Sequence, residues 1–493
     1  MKKLTILLSL LISVSIFAKT EAKSQAPVKE HLKNHYKLYG FIRNYFIYDS
    51  RESKSGTSDL FYYLPLDQKM NEDGSLDLNQ HSSFRFVALT SRVGLDVSGY
   101  QIGNVHFGAK FEADFYAGLS SVNKDTYPNV TKFFPGNTSI SGTAQMRLRQ
   151  AYATITWKDL PLSSEQKASV GLKVGQAWHP MAADMPQVFD LEVGAPFGPF
   201  SRTPQVTMDA DLGKNWTLSA SAIWQMQYQS AGPVGSSAIY MKYGMTPEIY
   251  AGVTFKSKGF LARAGVDVVS IKPRVYGTKS VSDPTDSNPS ATRSVTVKVS
   301  DRKTSLLYYL YAQYSYKTFQ VKAKTTYGEG GEHMNLMSGY AKVGENSDGS
   351  WNYASLRNSS SWLSMSVGKK WQGVLFVGYM KNLGLAKPAK AERLLASTTK
   401  TSNTLDVYFC GNGFSNLNQM YRINPQLIYN IGKLNLGIEY QWTSVQYGDY
   451  SVEKVKDGEN TITNKYLNAS GLATDNLHWV GNHRVSLMLK YNF

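Results

Sequence analysis

Several short stretches of this chain carry ionisable side chains at a spacing of two residues. In "NVHFGAKFEADFY", Lys110, Glu112 and Asp114 share one parity; "MRLRQAY" holds Arg147 and Arg149, and "TSRVGLDVSG" holds Arg92 and Asp96, four apart. Arg43 in "KLYGFIRNYF" and Arg263 in "FLARAGVDV" sit in similar surroundings. A further group of acids, Asp184, Asp190 and Glu192, lies in the Pro- and Gly-rich segment "WHPMAADMPQVFDLEVGAPFGPFSRTP". In extended chain a spacing of two puts side chains on one face. Fixed charges of both signs on facing surfaces do not break bonds; across a narrow passage they set a transverse field that orients polar solutes and sorts ions by sign. Any one of these residues reads equally well as half of an ion pair that only braces a wall, so the grouping carries the argument.

Bond-making chemistry has little support. There is no GxSxG elbow and no Ser, His and acid trio on one surface. The eight histidines are scattered, without HExxH or paired ligand spacing, so neither a metal nor a cofactor is expected. Cys410 is the sole cysteine and cannot close an intrachain disulfide. The formal charge of +16 would suit a nucleic-acid binder, but the bases are dispersed at strand period and the chain carries an export signal.

The elements that position these charges alternate with period two. In the last ten residues, "RVSLMLKYNF", Val485, Leu487, Leu489, Tyr491 and Phe493 oppose Arg484, Ser486, Met488, Lys490 and Asn492. The same split recurs in "KLNLGIEYQWT", "PQVTMDADL" and "FLARAGVDV", in about sixteen stretches altogether, or eighteen if "RSVTVKVS" joins the sheet. Tight connections ("GKN", "KSKG", "NIGK") alternate with long polar ones near 50–82, 118–143, 178–203, 228–246, 271–304, 328–359, 382–418 and 444–481.

Short turns on one side and long loops on the other describe an all-β fold: a transmembrane antiparallel up-and-down barrel with periplasmic turns and extracellular loops. Hydrocarbon offers no partner to a free N–H or C=O, so a spanning sheet must close on itself. The 32 tyrosines, with Trp157, Trp216, Trp224 and Trp442 near strand ends, suit aromatic girdles. Charge is then expected on the water-filled side, because a lipid-facing Arg or Lys at mid-membrane costs roughly 2–4 kcal/mol. At the start, Lys2 and Lys3 precede "LTILLSLLISVSIFA" and small residues at Ala18 and Ala22, the pattern of a secretory signal peptide. The expected division is a signal peptide at 1–22, a short periplasmic segment at 23–36 and a single barrel domain over 37–493.

The mature chain resembles the DcaP-like, general-porin type of outer-membrane protein through "KLYGFIRNYF", "TSRVGLDVSG", "RLRQAYATITW", "VGQAWHP", "GAPFGPFSRTPQV" and the terminal strand. The resemblance implies a homotrimer of barrels in the bacterial outer membrane that passes small hydrophilic solutes passively, with organic anions such as dicarboxylates as cargo. It implies that the third loop folds into the lumen and sets Asp184, Asp190 and Glu192 opposite the wall bases. It also makes the terminal strand, with Tyr491 and Phe493, the signal read by the barrel-assembly machinery. The family's long helical N-terminal extension shrinks here to about "KSQAPVKEHLKNHY". A sugar-selective channel, with Tyr39, Tyr309 and Tyr311 as an aromatic slide, is the nearest alternative; an outer-membrane hydrolase or an adhesin is the alternative from another class.

Overall fold

The computed structural model describes residues 30–31, 34–55, 62–88, 90–117, 144–164, 166–189, 193–285, 288, 290–397, 406–410, 415–457 and 460–493. The expected signal peptide and most of the segment before residue 34 lie outside the described residues.

Alternating sequence builds the wall. Its strands are β1 (His35–Asp49), β2 (in two halves, Ser83–Val87 and Arg92–Ser98, both paired to β1), β3 (Val105–Ala117), β4 (Ala144–Pro161), β5 (Lys167–Trp178), β6 (Arg202–Leu212), β7 (Trp216–Ile223) and β8 (Glu248–Ser257). The other half is β9 (Phe260–Ile271), β10 (Lys303–Tyr316), β11 (Phe319–Glu329), β12 (Trp351–Gly368), β13 (Trp371–Leu385), β14 (Leu417–Ile431), β15 (Leu434–Asp449) and β16 (Asp475–Asn492). Each pairs antiparallel with its successor, and β16 returns to β1 from Phe41↔Asn492 to Asp49↔Arg484. The result is a closed sixteen-stranded barrel with no free edge between first and last strands.

The eighteen-strand option is not realised. "RSVTVKVS" alternates, but Thr292–Lys298 pairs with Tyr276–Ser282 in a separate hairpin within the loop after β9. Several strands also outrun their expected ends: β12 begins at Trp351, and β15 and β16 extend to Asp449 and from Asp475.

Orientation follows parity. Val485, Leu487, Leu489 and Tyr491 are exposed on the outer surface, whereas Arg484 and Ser486 are buried inside. Leu38, Ile42 and Phe46 on β1, Leu310 on β10 and Leu436 and Ile438 on β15 extend the same apolar exterior. Beside the short turns the outer surface turns aromatic: Trp216 packs on Phe255 at 4.8 Å between ring centroids, and Trp371 on Tyr429 at 4.4 Å. Amphipathic rings at this depth mark a membrane–water boundary. No helix among the described residues is long and apolar enough to cross a membrane; the strands do the crossing.

The buried core lies inside the barrel. The third long loop, between β5 and β6, turns inward and packs Met181, Phe189, Ala195, Phe197 and Phe200 against Tyr250, Leu307, Tyr309, Trp362 and Phe376 of the wall. Above it, the loops after β11, β13 and β15 contribute Tyr340–Glu345, Arg393–Ser397, Val407–Phe409, Ser451–Asp457 and Asn460–Asn468 to a small extramembrane sheet. That sheet shares a core of Tyr340, Leu395, Val407, Phe409 and Tyr466.

Candidate functional site

The charged residues of β1 to β4 form one ladder on the inner wall. Its register is set by strand pairing, which places Arg92 opposite Asp114 and Asp114 opposite Arg147. Lys110 donates to Asp96 at 2.6 Å and to the Tyr39 hydroxyl at 3.0 Å; Tyr39 in turn donates to Glu112 at 3.1 Å. Arg149 reaches Glu112 at 2.8 Å and Asp114 at 2.5 Å. Arg147 grips Asp114 with two bonds of 2.8 and 2.9 Å, and Arg92 lies 3.6 Å from Glu112. Arg43 donates to Thr90 at 3.1 Å and lies over the Phe41 and Tyr45 rings.

A register shift between Glu112 and Ala113 sharpens the ladder. A bulge lets neighbouring residues of one strand turn to the same side, and here Arg149 and Gln150 both donate to Glu112, at 2.8 and 3.3 Å.

Arg202, at the start of β6, joins the ladder although the sequence pattern did not single it out. Its guanidinium lies 5.0 Å from the Trp178 ring, with Arg149 5.7 Å from the same ring. Nε donates to Gln227 at 3.1 Å, while Nη1 is buried without a hydrogen-bond partner. Arg92, Arg147 and Arg149 contact Glu112 and Asp114, Lys110 pairs with Asp96, and Arg43 and Arg202 contact no carboxylate, so the ladder carries a surplus of positive charge.

The third loop leans on the other half of the barrel. Asp184 accepts two bonds of 2.6 Å from Arg263 on β9. Lys324 on β11 donates to the carbonyls of Met181 at 2.7 Å and Asp184 at 2.5 Å. Farther along, Gln187 N–H donates to Ser364 at 3.2 Å, and Phe189 N–H donates to Glu439 at 2.9 Å. Asp184 is thus engaged by Arg263, a base of the wall on the loop's own side. Asp190 and Glu192 lie outside the described residues.

Pinned to β9–β15, the loop leaves the ladder wall partly open: the Arg92, Lys110 and Arg147 side chains keep 23%, 23% and 22% of their exposure. On the loop's side Arg263 keeps 29% side-chain exposure, whereas Lys324, Tyr250 and Trp362 are buried. Tyr309 and Tyr311 face inward, yet both are buried beneath the loop and take their place in a cup of rings around the Lys324 ammonium, completed by Trp362. Of the proposed aromatic slide only Tyr39 stands at the open wall, tied to Lys110 and Glu112.

A second charged group sits at the root of the loop, where His179, Glu248, Asp267 and His333 meet in full burial. His179 belongs to the loop itself, Glu248 and Asp267 to β8 and β9, and His333 to the loop after β11. No sequence spacing announces this cluster; barrel closure and two inward loops assemble it.

Tyr491 pairs with Ile42 and Leu434, and Phe493 continues the seam by exchanging backbone bonds with Gly40 at 3.1 and 3.3 Å.

No protein-family model matches the chain, and no curated relative matches it. Among solved structures it is similar to the outer membrane channel DcaP of Acinetobacter baumannii, with 18% identity and a TM-score of 0.56, over 95% of this chain and 100% of that one. It also aligns with an anion-selective porin from Comamonas acidovorans (9% identity, TM-score 0.47, 94% and 100% covered) and with OmpF of Salmonella typhi in complex with daunomycin (10%, 0.43, 93% and 98%). The likeness to the first is one of fold: a closed antiparallel β-barrel.

Proposed function

We propose that this chain is a porin of the bacterial outer membrane: a passive diffusion channel for small hydrophilic solutes that favours anions, dicarboxylates among them, and works as a homotrimer. The observation that carries the reading is the ladder on the inner wall of β1 to β4, where the Arg92, Lys110 and Arg147 side chains keep 23%, 23% and 22% exposure and Arg149 and Arg202 lie buried just behind them. Guanidinium forks match carboxylate geometry, and a surplus of fixed positive charge beside a narrow aqueous path concentrates anions there. The buried Tyr309 and Tyr311 argue against a sugar slide, because a stacking platform must be reachable by the solute.

The test is reconstitution into a planar bilayer. Ohmic steps in groups of three and a reversal potential of anion-selective sign in a salt gradient are expected, with succinate-like dicarboxylates reducing chloride current. A cation-selective reversal potential would overturn the charge assignment, and the absence of any step would overturn the channel.

A further inference from the structure

The buried cluster at the root of the third loop has the composition of a metal centre. Glu248 and Asp267 come from adjacent strands, and His333 comes from the short 3-10 turn Glu332–Met334 above them. His333 Nε2 lies 3.4 Å from Glu248 Oε1 and 3.5 Å from Asp267 Oδ2. None of the three side chains exceeds 4% exposure. Each also has a buried polar atom without a hydrogen-bond partner: His333 Nε2, Glu248 Oε2 and Asp267 Oδ1.

Unsatisfied buried polar atoms are costly, and His333 Nε2 faces Glu248 Oε1 and Asp267 Oδ2 without a hydrogen bond to either, while the second oxygen of each carboxylate is also without a partner, a set that one shared cation would satisfy. Bonds of 2.0–2.1 Å at tetrahedral angles separate metal-bound atoms by roughly 3.3 Å, close to the spacing of His333 from both acids. Two carboxylates with a neutral imidazole carry two negative charges, which one divalent cation cancels. Imidazole in the set selects a transition-type ion, zinc or manganese, over calcium or magnesium.

His179 takes a different part. Its Nε2 lies 2.6 Å from Glu248 Oε1 and its Nδ1 accepts the Met181 N–H at 3.2 Å. The Met181 bond keeps the proton on Nε2, which then donates to Glu248. A ring held in that tautomer cannot offer Nε2 to a cation, but it orients the carboxylate that can, as outer partners of metal ligands commonly do. Its Nε2 to Asp267 Oδ1 distance of 3.7 Å is too long for a hydrogen bond.

We propose that His333 Nε2 and the carboxylates of Glu248 and Asp267 bind one divalent transition-metal ion, with His179 as the positioning residue. The ion fastens the roots of the third loop and of the loop after β11 to adjacent strands of the wall. This inference stands apart from the channel reading, since a buried structural ion is compatible with any cargo.

The experiment refolds the full chain in detergent with zinc, manganese or calcium as separate probes, removes loose ion by gel filtration, and measures bound metal by mass spectrometry. About one equivalent of zinc or manganese per chain is expected, with calcium washed away. In His333→Gln the retained zinc should fall at least tenfold while the heat-modifiable gel shift of a folded barrel persists. Retention below a tenth of an equivalent by the parent chain, or equal retention by His333→Gln, overturns the site. Should that variant not fold, X-ray absorption of the zinc-loaded parent decides: one imidazole with oxygen ligands supports the assignment, and an all-oxygen shell overturns it.

Discussion

Arg149 bonds Glu112 and Asp114 at once, at 2.8 and 2.5 Å, so the ladder neutralises part of its charge along its own wall rather than across the passage. Removing those acids should therefore make the channel more anion-selective. A unit charge about 4 Å from a passing ion is worth about 1 kcal/mol in water, or about fivefold in local occupancy, less when salt screens it. Glu112→Gln with Asp114→Asn should raise the chloride-to-potassium permeability ratio by up to that factor, read from reversal potentials at low salt. An unchanged or lowered ratio would count against the ladder as the selectivity element.

Arg202 and Arg149 should separate selectivity from stability. Arg202 touches no carboxylate and has a buried Nη1 without a partner. Arg202→Gln should lower anion preference and leave the unfolding temperature nearly unchanged. Arg149→Gln strips a partner from two buried acids, and breaking a buried pair costs about 3–5 kcal/mol. That variant should lose selectivity and also unfold at lower temperature, as heat-modifiable gel migration would report.

The wall was legible in the sequence because barrel physics repeats at every second residue. Val485, Leu487 and Leu489 had to face outward once lipid was the solvent, and Glu112, Asp114, Arg147 and Arg149 had to face in. Neighbouring strands then brought the ladder residues together without further information. Arg202 escaped because it precedes the clean alternation of "PQVTMDADL" and is turned inward by the loop that ends at it. The bulge beside Glu112 has no sequence signature, and Asp184 could not be assigned a partner before the loop's path was known. His179 and Glu248 are 69 residues apart, and only closure and inward loops join them to Asp267 and His333.

The Arg263 to Asp184 clasp should govern how still the constriction is. Both side chains are largely buried, and the pair is backed by Lys324 on the same loop carbonyls. Arg263→Gln should free the near end of the third loop while Phe189 and Gln187 hold the far end. Single-channel records should show added flicker, with a mean conductance changed by less than about twofold because one of several anchors is lost. Quiet steps indistinguishable from the parent would show the clasp to be dispensable.

Acid should loosen the first long loop. Burial pushes the Asp77 carboxyl up, but the backbone N–H groups of Lys69 and Asn79 and the Arg51 guanidinium outweigh it and hold Asp77 below the usual carboxylate range. A depressed folded value gives stability that is present above the unfolded value of about 3.9 and is lost as pH falls through the folded one. Protection factors over 67–80, taken against the intrinsic exchange rate at each pH, should therefore be high at pH 6 and fall below pH about 4. Asp77→Asn should exchange faster at pH 6 and lose this acid step.

The seam between β1 and β16 makes the sharpest demand on a single residue. A Cβ at Gly40 would land on the Arg92 carbonyl oxygen and within 2.5 Å of Phe493 Cζ. The exposed Phe493 ring can swing away, but the Arg92 carbonyl is fixed in the β1–β2 ladder, so even Gly40→Ala overpacks the seam. Overpacking of this kind costs about 1–3 kcal/mol. Gly40→Ala should lower the temperature at which the heat-modifiable band converts, and combining it with Phe493→Ala should restore only part of the loss, since the carbonyl clash remains. Full rescue would assign the conflict to the ring alone. Phe493→Ala by itself leaves the backbone bonds to Gly40 in place, at 3.1 and 3.3 Å. It should refold in detergent nearly as well as the parent yet reach the membrane poorly in cells, the split expected of a residue read by the assembly machinery rather than one needed for barrel stability.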